Sequence, residues 1–156
     1  MGPQETNEEG RAQALLACRG KALLVSEEPG DLDFYRNLLE GWGYQVRACH
    51  SYEEGVCCLG SEVFDFVVVS QGSRRFEGRC VVERAIAMDR RLPVVVVARA
   101  LDMPCYLEAM QLGAVDYLEE PVTVSEMGRV LGNHPPIRSK AARMIQAAGC
   151  SGVVLK

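Results

Sequence analysis

Five short apolar runs, each followed by a segment with helical spacing, constrain the fold of this chain more than any other feature. The runs are richest in β-branched residues at residues 66–69 and 94–97. In the segments between the runs, apolar residues recur at helical spacing, as Leu32, Tyr35 and Leu38 do after the first run. Strands that alternate with helices in this way predict a parallel sheet with helical crossovers on its faces.

The polarity of the runs predicts the order of the strands. The first, third and fourth runs are apolar throughout, which is typical of parallel strands covered by helices on both faces. The second run (residues 45–49) and the fifth run (residues 115–119) mix polar and apolar residues, which suits the edges of a sheet. We therefore predict an α/β fold with a doubly wound, five-stranded parallel sheet of order 2-1-3-4-5.

The alternating pattern covers residues 21–132, and we predict one domain over this range because 156 residues suit a single core. Residues 1–20 are predicted to be an N-terminal leader. Residues 133–156 begin with a linker that contains two prolines, and the apolar spacing over residues 137–148 predicts one short C-terminal helix. A segment of this length is too short for a separate DNA-binding domain.

Composition narrows the classes of partner and site. The net charge of −4 argues against a basic surface for nucleic acid, and no run approaches the roughly 18 apolar residues of a membrane span. The N-terminus is acidic and unlike a secretory signal, so we predict a cytoplasmic protein with no nucleic-acid and no membrane partner. The seven cysteines form no CxxC pair and only two histidines are present, so we predict free thiols.

Four blocks follow the predicted strands in a recognisable order and spacing. They are residues 25–29 (Val-Ser-Glu-Glu-Pro), residues 64–70 with Gly78 after them, residues 92–98, and residues 113–121 (Gly-Ala-Val-Asp-Tyr-Leu-Glu-Glu-Pro). Together they resemble the response-regulator receiver (CheY-like) family over about residues 21–132. The resemblance implies a flavodoxin-like fold and a part in two-component (phosphorelay) signal transduction. We expect that the protein is not an enzyme, because the sequence contains no phosphate-loop, Ser-His-Asp or HExxH motif.

The resemblance also assigns positions to the family's phosphorylation site, and this chain departs from the family there. In the family, two acidic residues after the first strand help to hold Mg²⁺, and an aspartate after the third strand accepts the phosphoryl group. A hydroxyl after the fourth strand and a lysine after the fifth strand then bind that group. The matching positions in this chain are Ser26, Glu27, Ser70, Ala98 and Glu120.

These departures predict a pseudo-receiver that takes no phosphate at the usual position and has no catalytic residue. Glu27 alone is a weak ligand set for Mg²⁺, so we expect no cofactor. Glu120 would repel a phosphoryl group where the family's lysine attracts it. Two alternatives stay open, namely an unconventional receiver that still switches and a small-ligand-binding module that uses the same crevice. Whether Glu27 and Glu120 bind a cation or pair with an arginine also stays open, the candidates being Arg74, Arg75 and Arg99.

With the phosphorylation site altered, protein–protein interaction is the expected mode of action. The family uses the face formed by helix 4, strand 5 and helix 5, and the resemblance places Tyr106, Met110, Tyr117 and Val122 on it. Tyr117 matches the family's switch aromatic. We expect a protein partner or a homodimer at this face, and a cis peptide bond before Pro121, as is usual at the family's Lys-Pro.

Overall fold

The structure, a computed structural model, describes residues 19–135 and contains one five-stranded parallel sheet of order β2-β1-β3-β4-β5. The predicted fold class and strand order are therefore confirmed. Most of the predicted leader and the predicted helix at residues 137–148 lie outside the described residues. In chain order the elements are β1 (Gly20–Val25), α1 (Pro29–Gly41), β2 (Tyr44–Cys49), α2 (Tyr52–Ser61), β3 (Phe66–Ser70), α3 (Arg79–Met88), β4 (Val94–Ala98), α4 (Met103–Leu112), β5 (Asp116–Glu119) and α5 (Val124–Asn133).

The sheet separates two hydrophobic clusters, because successive side chains of a strand point to opposite faces. In β3, Val67 and Val69 enter the cluster covered by α2, α3 and α4, whereas Phe66 and Val68 enter the cluster covered by α1 and α5. All four side chains are fully buried, and each contributes about 2 kcal/mol to the stability of the fold. The three runs that are apolar throughout thus become the three central strands of the sheet.

Polar side chains fix the starts of three helices. Ser51, Asp102 and Thr123 precede α2, α4 and α5, and each accepts a hydrogen bond from a backbone N–H in the first turn. At α5 the carboxylate of Glu126 also accepts from the backbone N–H of Thr123 at 3.0 Å, which completes a capping box. Within residues 19–135, no helix is both long enough and apolar enough to cross a membrane.

All strands run in one direction, so their carboxyl ends meet at one edge of the sheet. The register places Val25 beside Val69, Ser70 beside Val97, and Ala98 beside Glu119. Between β1 and β3 the crossovers leave in opposite directions, which opens a crevice beyond the strand ends. The fold therefore collects at this edge the residues that follow β1, β3, β4 and β5.

Candidate functional site

A crevice of about 310 Å³ opens at the carboxyl edge of the sheet. The five residues that the sequence places at a phosphorylation site all line it, namely Ser26, Glu27, Ser70, Ala98 and Glu120. They come from four different strand ends and meet only because those strands are neighbours in the sheet. The crevice is also lined by residues that sequence analysis did not single out, among them Asp31, Tyr52 and Glu77.

Ser70 ends β3, and its hydroxyl is already hydrogen-bonded. The oxygen of Ser70 lies 2.7 Å from the phenol oxygen of Tyr52, the first residue of α2. Burial raises the pKa of Tyr52, so this phenol stays neutral at physiological pH. The lining of the crevice therefore includes a pair of neutral hydroxyl groups.

Glu120, after β5, is held by a residue of α1. The phenol of Tyr35 donates a hydrogen bond of 2.6 Å to Oε2 of Glu120. Tyr35 is buried, and burial followed by the hydrogen bond to Glu120 raises the pKa of its phenol, which therefore remains a donor. The contact joins α1 to the residue that follows β5.

Among the three arginines considered as partners, Arg99 lines the crevice. Its Nη2 lies 3.5 Å from Oε1 of Glu28, so it pairs with the neighbour of Glu27. Both side chains are more than half exposed, and an exposed pair of this kind contributes less than about 1 kcal/mol. Arg74 instead lines an adjoining hollow with Gln71 and Asp102.

The crevice carries an excess of negative charge. Its lining contains five carboxylates and one arginine, namely Glu27, Glu28, Asp31, Glu77, Glu120 and Arg99. Partial burial, and then the charge of Glu120, raises the pKa of Asp31, while Arg99 lowers it. The crevice therefore disfavours the ionisation of Asp31, on the first turn of α1.

Tyr117, on β5, is buried beside the start of α4. Its ring meets that of Tyr106 edge to face, with centroids 5.5 Å apart. Its phenol donates a hydrogen bond to Oε1 of Gln71 and accepts one of 3.3 Å from the backbone N–H of Asp102. Gln71 follows Ser70 directly, and no pattern in the sequence indicates that it contacts Tyr117.

Comparison with known proteins decides the family. The protein-family model of the response regulator receiver domain matches residues 22–131 of this chain. The chain belongs to this family. Solved receiver domains share its fold, including one from Clostridium thermocellum (TM-score 0.68, 23% identity, 78% of this chain and 97% of that chain). Another is the receiver domain of a sensor histidine kinase from Pseudomonas aeruginosa, with a magnesium ion in its active site cleft (TM-score 0.65, 20% identity, 74% and 96%).

Curated relatives of this receiver domain include the transcriptional regulatory protein ZraR of Salmonella typhimurium, 25% identical over 115 residues. The alginate biosynthesis transcriptional regulatory protein AlgB of Pseudomonas aeruginosa is 28% identical over 126 residues. The matches cover 72% and 81% of this chain but 26% and 28% of the relatives. The receiver domain thus spans about a quarter of the length of these regulators.

The donor set of the crevice does not fit the Mg²⁺ ion that the receiver family implies. Within residues 19–135, no group of three or more His, Cys, Asp or Glu side chains is placed to hold a metal ion. Mg²⁺ requires oxygen ligands in near-octahedral geometry. Ser26 is not a carboxylate, and its hydroxyl already accepts a hydrogen bond of 3.1 Å from the backbone N–H of Glu28.

The predicted partner face needs correction, because two of its four residues, Tyr117 and Val122, are buried. Val122 is only 2% exposed, because it packs into the cluster between the sheet and α1 and α5, so it cannot contact a partner. Tyr106 is half-buried, Tyr117 is buried, and the Glu120–Pro121 bond is cis as predicted. On this side of the domain, exposed apolar side chains lie on α4 and just before it, at Leu101 (54%), Met103 (52%), Leu107 (50%) and Met110 (37%).

Proposed function

We propose that this receiver domain takes no phosphoryl group at the usual position and acts in two-component signal transduction by binding a protein. The observation that carries the proposal is the Ser70–Tyr52 hydrogen bond at the position of the family's acceptor aspartate. A serine hydroxyl is a weak nucleophile unless a neighbouring base removes its proton. The group that contacts Ser70 is a phenol whose raised pKa keeps it protonated, so it is a hydrogen-bonding partner and has no basic oxygen to remove the proton of Ser70.

The charge of the crevice supports the same conclusion. At the position of the family's lysine stands Glu120, fixed in the crevice by Tyr35. Two like charges about 4 Å apart repel by about 4 kcal/mol at an effective dielectric constant of about 20. A bound phosphoryl group would face this repulsion, and Ala98 offers no hydroxyl to hydrogen-bond it.

The surface suited to a partner is an apolar stripe on α4, which we call the α4 stripe and define as Met103, Leu107 and Met110. These residues are four and three positions apart, so they share one side of the helix, opposite the buried Cys105 and Ala109. Exposed apolar side chains grouped in this way are typical of protein–protein contacts. The partner is a second protein or a second copy of this chain.

An amide NMR titration with Mg²⁺, followed by Mg²⁺ with beryllium fluoride as a phosphoryl mimic, tests the first part. We expect no saturable shift of the amides of Glu27, Ser70 or Tyr117. A variant that restores the family's residues at all four altered positions (S26D, S70D, A98T and E120K together) is the positive control. Saturable shifts in the unmodified chain at low millimolar Mg²⁺ would show that phosphoryl-type switching survives and would overturn the proposal.

Sedimentation velocity tests the homodimer form of the second part. If the chain self-associates, Met110→Glu should weaken the association, because a charge would interrupt the α4 stripe. Phe34→Glu is the matched control, since Phe34 is 47% exposed and lies on α1. Equal effects of the two substitutions would count against the α4 stripe, and a monomeric chain would leave a different protein as the partner.

A further inference from the structure

The hydrogen bonds of Gln71 orient its side chain toward Tyr117. Gln71 is buried, and its backbone N–H donates to the carbonyl of Val97 at 2.8 Å, which ties it to β4. Its Nε2 donates to the carbonyl of Ser73 at 3.1 Å. Because the amide nitrogen is engaged there, the amide oxygen is directed at the phenol of Tyr117, which donates to it.

Tyr117 carries the connection on to α4. The backbone N–H of Asp102 donates to the phenol oxygen of Tyr117 at 3.3 Å. Asp102 is the N-cap of α4, and its carboxylate accepts from the backbone N–H of Cys105 at 3.2 Å. A continuous series of hydrogen bonds therefore runs from the loop after β3, through a buried tyrosine, to the first turn of the helix that carries the α4 stripe.

The contacts of the series favour the buried orientation of Tyr117. If Tyr117 turned outward, the buried oxygen of Gln71 would lose its hydrogen-bond donor, and an unsatisfied buried acceptor is costly. The ring also packs edge to face on Tyr106, which adds a second contact with α4. In the family a hydroxyl after β4 responds to the phosphoryl group, but Ala98 occupies that position and is unable to act on Tyr117.

We propose that Gln71 is a positioning residue that holds Tyr117 in its buried orientation and thereby fixes the amino-terminal end of α4 without any phosphoryl group. The inference rests on the proposed function, to which it adds regulation: the α4 stripe is permanently set for its partner and no longer switched. Gln71 thus holds Tyr117 in its buried orientation through a hydrogen bond within the domain.

Gln71→Leu is the direct test, because leucine is similar in size and has no acceptor. Gln45→Leu, at an exposed position of β2, is the matched control. In the Gln71 variant we expect the nuclear Overhauser contacts between the Tyr117 ring and the amide of Asp102 to disappear. Hydrogen exchange of that amide should accelerate roughly five- to tenfold, the factor for the loss of one hydrogen bond.

Tyr117→Phe supplies an independent variant in case the substitution at Gln71 disturbs the fold. It keeps the ring and removes both hydrogen bonds, so the Asp102 amide should exchange faster to a similar extent. Combining it with Gln71→Leu should add little, because both changes break one series. Unchanged contacts and exchange in Gln71→Leu, relative to the Gln45 control, would overturn the inference.

These measurements need no partner and no phosphoryl mimic. A negative result at Gln71 therefore refutes the positioning role while the proposed function stands. A saturable response to beryllium fluoride in the unmodified chain would refute the proposed function, whatever Gln71 does.

Discussion

Replacing Gly128 with alanine should destabilise the domain, although alanine is the better helix former. Gly128 lies in α5 against the indole of Trp42, the residue that follows α1. A methyl carbon at Gly128 would lie 2.4 Å from Cζ2, 2.8 Å from Cη2 and 3.0 Å from Cε2 of Trp42. All three atoms belong to one rigid ring, so the clash is relieved only by moving the whole side chain or the helix.

The expected loss follows from two opposing contributions. Overpacking of a core contact costs about 1–3 kcal/mol. Alanine in place of glycine within a helix gains about 1 kcal/mol. Gly128→Ala should therefore lower the free energy of unfolding by up to about 2 kcal/mol. Gly132→Ala, in the same helix, meets nothing within 4 Å and should be neutral or slightly stabilising.

Urea unfolding followed by tryptophan fluorescence measures both variants, since Trp42 is the single tryptophan of the chain. The difference between the two free energies of unfolding is the informative quantity, because the gain in helix propensity is common to both. We expect about 1–3 kcal/mol. Equal midpoints for Gly128→Ala and Gly132→Ala would refute the close packing of α5 on Trp42.

Three further predictions follow from the described contacts. Glu120→Gln keeps an acceptor for the phenol of Tyr35 but removes a negative charge that raises the pKa of Asp31. Carbon NMR should therefore show a lower pKa for Asp31 in this variant. Because the folded-state pKa of Asp31 is raised, this residue stabilises the fold at pH values below the ordinary carboxyl pKa, and its contribution is lost as pH rises through the folded-state pKa. Glu120→Gln should therefore reduce the loss in the free energy of unfolding over this pH range. Thr123→Ala should cost about 1 kcal/mol in urea unfolding through loss of the α5 cap, and an unchanged midpoint would contradict it. Peptide mass mapping after brief alkylation should find the exposed Cys57 modified and Cys49 protected, because burial raises the pKa of the Cys49 thiol to about 12; equal labelling would contradict this.

The sheet could be predicted from the sequence because a strand that is buried on both faces is apolar throughout. The runs at residues 66–69 and 94–97 have no polar side chain to place in solvent, so they had to be central strands. The convergence of Ser26, Ser70 and Glu120 was equally predictable, since the carboxyl ends of neighbouring parallel strands share an edge.

Contacts between side chains of different elements were not predictable in the same way. Three hydrogen bonds that define the site are completed by Tyr35, Tyr52 and Gln71. In the sequence, these residues look like ordinary residues of a helix or a loop. Their roles depend on how closely a helix approaches the sheet and on the rotamer adopted there. The prediction that Val122 lies on the partner face was wrong for a related reason. A residue just after an edge strand is expected to be exposed unless the packing of α5 is known.

The short edge strand β5 has a consequence for the solubility of the chain. It pairs along β4 from Val95 to Ala98, and the α-helices cover the faces of the same valines. If β5 separates from the sheet, β4 becomes an edge of unbroken β-branched residues, the kind of segment that recruits strands from other molecules and aggregates. Four residues, Asp116–Glu119, thereby shield the valines of β4 from the strands of other molecules.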